Sequence, residues 1–147
     1  MRSGLGPEED KYHIINFAKS TGEHQSVDAT TAMAVFVAPK ACTIVDIGLA
    51  VTTAVAAHTT NHWTIAIVNQ TGDGSILSDN FDTDSDNSGN GGRSLTADTL
   101  NSLCDNGAGN NYLQSQVLAK GDVLVLTATR AASGTALANP VIVVQYR

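Results

Sequence analysis

The sequence predicts an all-β chain: an antiparallel, jelly-roll-like β-sandwich with an extended N-terminal arm. Three observations support this. From Ala32 onward, apolar residues recur with a period of two. The runs are dominated by Val, Ile and Thr, the β-branched residues that suit pleated sheets. Polar turn sequences separate the runs, and no βαβ spacing is visible. About eight such runs favour a jelly roll over an immunoglobulin-like topology.

The runs follow one another in order. Met33-Ala34-Val35-Phe36-Val37 reads as a short strand stopped by Pro39. Across Ala41 to Val55, the odd positions Val45, Ile47, Leu49 and Val51 form a bulky apolar face. The even positions, among them Cys42, Asp46, Gly48 and Ala50, are small or polar, as in a strand covered on one side. His62 to Asn69 repeats the pattern, with Trp63, Ile65 and Ile67 in phase. That phase makes Trp63 a core residue. Asn69-Gln70-Thr71-Gly72-Asp73-Gly74 is a turn signal. Asp79 to Gly92 reads DNFDTDSDNSGNGG and is expected to be a solvent-facing loop. Thr96 to Leu103 is the best helical candidate, one or two turns long, with Ser94 or Thr96 as its cap. Gly121 opens a strand from Asp122 to Thr129, with Leu124 and Leu126 inward and Thr127 and Thr129 outward. Pro140 precedes the last strand, Val141 to Tyr146.

Residues 1–31 differ from the sandwich domain expected over 32–147. They hold a short acidic cluster, Glu8-Glu9-Asp10, and one apolar patch, Tyr12-His13-Ile14-Ile15-Asn16-Phe17, between polar flanks. So little apolar area does not offset the segment's own ordering entropy. Two readings follow: a frayed terminus, or an arm that orders against a neighbour. On the second, Tyr12, Ile14, Ile15 and Phe17 are the anchors.

Composition narrows the function. The chain has 147 residues, enough for one domain. Only 15% are charged, and the net charge is −6. No basic stripe exists to neutralise phosphates, so neither nucleic acid nor an anionic membrane surface is an expected partner. No apolar run approaches the roughly 18–20 residues of a membrane span. MRSGLGPEEDK has no apolar h-region, so no secretory signal is expected there. The polar surface must come from neutral groups, since the chain holds 16 Thr, 11 Ser and 11 Asn. Such a surface suits burial among copies of itself or on a larger assembly, where each buried charge needs a partner.

Candidate chemistry is sparse. Asp82, Asp84 and Asp86 alternate as in a calcium loop. The rest of the EF-hand pattern fails, with Asn87 at position six and Arg93 at position twelve. A solvated acidic loop is the favoured reading, with a calcium site completed by another chain as the alternative. His58 and His62 are four apart but fall on a loop and a strand start, with no third ligand in view. Cys42 and Cys104 form neither a disulfide framework nor a zinc set, and sequence leaves their separation open. No G-x-S-x-G, phosphate loop or dinucleotide fingerprint occurs, so no enzyme and no cofactor are expected.

The second half carries a resemblance. Leu118-Ala119-Lys120-Gly121-Asp122-Val123-Leu124 opens a "GDVL" strand, Ser133-Gly134-Thr135 makes an "SGT" turn, and the final strand closes on Tyr146-Arg147. Gly92-Arg93-Ser94-Leu95-Thr96-Ala97 is similar in style. This pattern, over roughly residues 33–147, resembles the small jelly-roll virion proteins of tailed bacteriophages, the capsid decoration (cement) proteins and head-fibre bases. The resemblance implies homo-oligomers, often trimers, on the outer face of an icosahedral head, bound to the major capsid protein and without catalysis. It supplies no residue-level binding motif. The expectation is thus a virion structural protein on the capsid surface, with the arm as its shell contact. The alternatives are a receptor- or glycan-binding fibre or tail tip, and a monomeric sandwich enzyme or binding module with a concave polar pocket.

Overall fold

The Val, Ile and Thr runs form the long strands, and ten strands in all occur among the described residues. The structure, a computed structural model, describes residues 9–16, 26–72, 74–114 and 117–147. The strands are β1 (Lys11–Asn16), β2 (Thr31–Val37), β3 (Cys42–Ala50), β4 (Trp63–Asn69) and β5 (Gly74–Ser75), then β6 (Phe81–Asp82), β7 (Asn101–Ser102), β8 (Val117–Leu118), β9 (Val123–Arg130) and β10 (Val141–Tyr146). No helix occurs among the described residues. One sheet runs β1-β10-β3-β7, with β8 pairing the other end of β3. The second runs β2-β9-β4-β5, with β6 on the other end of β4. Every strand pair is antiparallel. The first strand lies beside the last and the second beside the last but one, the wrapped order of a jelly roll.

Alternation places the core between the sheets. Trp63, Ile65 and Ile67 of β4 are fully buried, as are Leu124 and Leu126 of β9 and Ile142 and Val144 of β10. Each such side chain contributes about 1.5–3 kcal/mol relative to exposure. The Trp63 indole N–H donates to the Thr135 carbonyl at 2.8 Å, so its burial leaves no donor unpaired.

Two bulges interrupt the alternation. Across β10 and β3, Gln145 faces Asp46 but Tyr146 faces Ile44, which leaves Val45 as an extra residue. The core phase therefore changes along β3: Cys42 and Ile44 point inward, then Ile47 and Leu49. The expectation that Val45 shares a face with Ile47, Leu49 and Val51 is corrected by this bulge. A second bulge falls at Val35, between the pairs Ala34–Val125 and Phe36–Leu124. Two consecutive residues, Val35 and Phe36, thereby enter the core.

Two further expectations are corrected. Thr96 to Leu103 is not helical. Asp98 has φ +52°, and Asn101 and Ser102 pair with β3 as β7. The Asn101 side chain holds the segment by donating to the carbonyls of Leu49, Thr96 and Thr99 and accepting from the Thr96 N–H. The segment 79–92 is not wholly solvent-facing either. Phe81, Asp82, Thr83 and Asn90 are buried within it. Their polar atoms find hydrogen-bond partners, which is what permits burial. Thr83 Oγ1 accepts from the Trp63 N–H at 2.8 Å. Asn90 Nδ2 donates to the carbonyls of Asp79 and Leu103 at 3.0 and 2.9 Å.

Candidate functional site

The expected contact residues begin in β1. This strand borrows order from β10, pairing with it through six consecutive residues. Backbone pairing supplies what its small apolar area lacks. Ile15 packs against the core, and the His13 ring meets Phe36 at 5.6 Å between centroids. Tyr12 and Ile14 point the other way and are 61% and 62% exposed. Phe17 lies outside the described residues.

Register extends this outer surface. Ile14 faces Val143, and Val143 faces Gly48, so the three lie on one face. Val143 points outward because Ile142 and Val144 are buried. Leu100 lies over Gly48 so closely that a Cβ there would sit 2.6 Å from its Cδ1. Leu100 is itself 48% exposed. An apolar band thus crosses β1, β10 and β3 on the solvent side of the sheet.

The acidic triplet serves its own turns. Asp82 Oδ1 accepts from the Asp84 N–H at 2.6 Å, and its Oδ2 accepts from Thr64 Oγ1 and Asn87 Nδ2. Asp84 Oδ1 accepts from the Asp86 N–H, and its Oδ2 lies 3.9 Å from His62 Nδ1. Among the described residues, no group of three or more His, Cys, Asp or Glu is placed to hold a metal. His58 Nδ1 accepts the N–H groups of Thr60 and Asn61, which folds the loop before β4. Trp63 is wholly buried and offers no face to a ligand.

A polar hollow opens at the Val45 bulge. Its volume is about 490 Å³, and Asp46, Arg93, Ser102, Asp105, Asn106 and Asn111 line it. Asp46 Oδ1 accepts from the Ile47 N–H and from Ser102 Oγ, at 2.9 and 2.7 Å. Arg93 is held rigidly. It donates to Asn90 Oδ1 and to the Ser102 carbonyl, both at 2.8 Å, and its guanidinium carbon sits 4.8 Å from the centre of the Phe81 ring. Burial pushes the Arg93 pKa down, while Asp105 and other neighbours act to raise it.

No protein-family model, curated protein or solved structure matches this chain. Chemistry and geometry therefore carry the functional assignment.

Cys104 touches the hollow but is poorly suited to attack. Burial pushes its thiol up to about 12, with Asp46 adding to the rise. A thiolate is the reactive form, and this site disfavours it at neutral pH. Cys42 is buried and shifted upward by burial as well, and both cysteines are free.

Nothing local in the sequence marks Asp46, Arg93, Ser102 and Asp105 as a group. They lie on separate segments, and the topology brings them together. One signal was available: Arg93 is the single Lys or Arg between Lys40 and Lys120. A lone cation in a long polar stretch is a candidate for a fixed structural or binding role.

Proposed function

We propose that this chain is a non-enzymatic structural protein that seats on the outer face of a tailed-phage head, where it contacts the major capsid protein as a homotrimer. The observation that supports this is the apolar band of Ile14, Val143 and Leu100, flanked by Tyr12, on the solvent side of an edge of the sheet. A regular, unbulged edge strand with exposed Tyr and Ile is an association hazard unless something covers it. Burying what remains exposed of Ile14 at an interface supplies about 1–2 kcal/mol, and Tyr12 adds apolar area beside it.

Decoration then works by linkage. The protein binds the assembled lattice and not its dissociated subunits, so it shifts the equilibrium toward the lattice. Repeated weak contacts on a symmetric surface add through avidity. A surface rich in Thr and Asn hydrogen-bonds at the rim without the desolvation cost of ions.

The deciding experiment is quantitative mass spectrometry of gradient-purified particles from the source material. A copy number of the same order as the major shell protein is expected. A handful of copies per particle would replace decoration with a fibre or tail role. Absence from particles would overturn the virion assignment altogether.

A further inference from the structure

We infer that the hollow at the Val45 bulge is a binding site for a neutral polyhydroxylated ligand, a saccharide unit. The inference is independent of where the chain is mounted. It starts from what the lining groups have left to bond. Arg93 spends two of its five N–H groups on Asn90 and Ser102. Asp46 uses Oδ1 twice, for Ile47 and Ser102, and Asp105 uses Oδ1 for the Gly107 N–H at 2.7 Å. Asp105, an exposed residue, has no hydrogen-bond partner at Oδ2 among the described residues, and the Asp46 carboxylate also meets the Cys104 thiol. No ion pair joins Arg93 to either aspartate, although both lie near enough to stabilise its charge.

The lining therefore presents spare N–H donors and spare carboxylate acceptors around one space. A hydroxyl is the group that meets both needs, accepting from the guanidinium while donating to a carboxylate. Adjacent ring hydroxyls do so repeatedly. Charge argues against the other ligand classes. Two aspartates and one arginine give the lining a net −1, which disfavours phosphate or sulfate. The fixed Arg93 opposes a bare ammonium.

Geometry supports the same ligand. A hollow of about 490 Å³ falls in the range of small-molecule sites. Val45, displaced from the core by the bulge, gives it an apolar wall for the C–H face of a ring. Bulges recur where a strand must re-aim side chains toward a site. Rigid support is present too, since Ser102 Oγ also accepts the N–H groups of Cys104 and Asp105 at 3.2 and 3.1 Å.

The test is amide chemical-shift titration of the ¹⁵N-labelled full chain. The probes are D-glucose, D-galactose, N-acetyl-D-glucosamine and L-rhamnose, each up to tens of millimolar, with phosphate and ethanolammonium as charged comparators. At least one sugar should give saturable shifts at the amides of Cys104, Asp105 and Gly107. Asp105→Asn keeps the Oδ1 acceptor for Gly107 but replaces the second acceptor with a donor. It should weaken that sugar at least ten-fold while leaving the Trp63 indole resonance in place. The inference is overturned if none of the four sugars shifts these amides saturably. It is also overturned if Asp105→Asn binds as tightly as the parent, or if ethanolammonium or phosphate occupies the hollow in preference to every sugar.

Discussion

Ile14 and Val143 stand opposite each other across β1 and β10, and both side chains point away from the core. The pair joins a strand near the N-terminal end to one near the C-terminal end. It also forms the centre of the apolar band.

If this pair docks onto an assembly, its polar replacement should separate stability from binding. Ile14→Ser is expected to change unfolding free energy by about 1 kcal/mol or less, because the side chain is already largely in water. Binding to purified shells should weaken ten-fold or more, a loss of about 1.4 kcal/mol. Urea midpoints and co-sedimentation read the two effects separately. Unchanged co-sedimentation would remove the band from the docking surface.

A side chain at Gly48 overlaps the half-exposed Leu100 side chain, which must shift to admit it. Gly48→Ala is expected to cost about 1–3 kcal/mol through this overlap. Truncating the cover should return most of the loss, so the Gly48→Ala/Leu100→Ala double variant should be more stable than the sum of the two single changes predicts. Chemical denaturation of the four proteins completes the cycle. Strict additivity would show that Leu100 yields freely.

Thr83 carries a buried polar duty. Its Oγ1 accepts from the Trp63 N–H at 2.8 Å, and its backbone N–H donates to the Trp63 carbonyl at 2.9 Å. Thr83→Val keeps the shape and strands the Trp63 donor, at an expected cost of about 1–3 kcal/mol. Thr83→Ser should retain most of the stability. Equal losses in the two variants would assign the effect to packing.

Cys104 should make stability fall at alkaline pH. Burial raises its folded-state pKa to about 12 from the 9.0 of a free thiol. The unfolded thiol therefore loses its proton first, and above about pH 9 ionisation favours the unfolded chain. The stabilising difference is complete below pH 9 and is lost toward pH 12, on the order of 1 kcal/mol per pH unit. Unfolding midpoints at pH 8 and pH 10.5 should diverge more in the parent than in Cys104→Ala. In the folded protein, Cys104 should also resist alkylation at pH 8. Rapid labelling there would contradict its burial.

The regular strands were legible because alternation is a local property. Trp63, Ile65 and Ile67 on β4, and Leu124 and Leu126 on β9, needed only a period of two. The bulges at Val35 and Val45 were not legible, because an extra β-branched residue looks like any other member of a strand. The burial of Asn90 depends on the Leu103 carbonyl, a partner that local composition does not reveal. In Thr96 to Leu103, local propensity favoured a turn of helix, and the four hydrogen bonds of the Asn101 side chain overrode it. The arm patch was readable as apolar, but its division into an inward Ile15 and an outward Tyr12 and Ile14 follows from pairing with β10. The hollow was hidden for the same reason, since Asp46, Arg93 and Ser102 become neighbours only through the sheet order.

The wrapped strand order also sets a timetable. Lys11 to Asn16 find their strand partner in Tyr146 to Val141, near the far end of the chain. During synthesis, the outer band cannot form until β10 has left the ribosome, and pairing across so long a separation is slow. The outer band is thus completed only after β2 to β9 have been synthesised. A nascent or truncated chain lacking β10 presents Tyr12 and Ile14 on an unpaired segment and not as a shaped face. On the proposed reading, a chain without β10 would lack the formed band and would not dock.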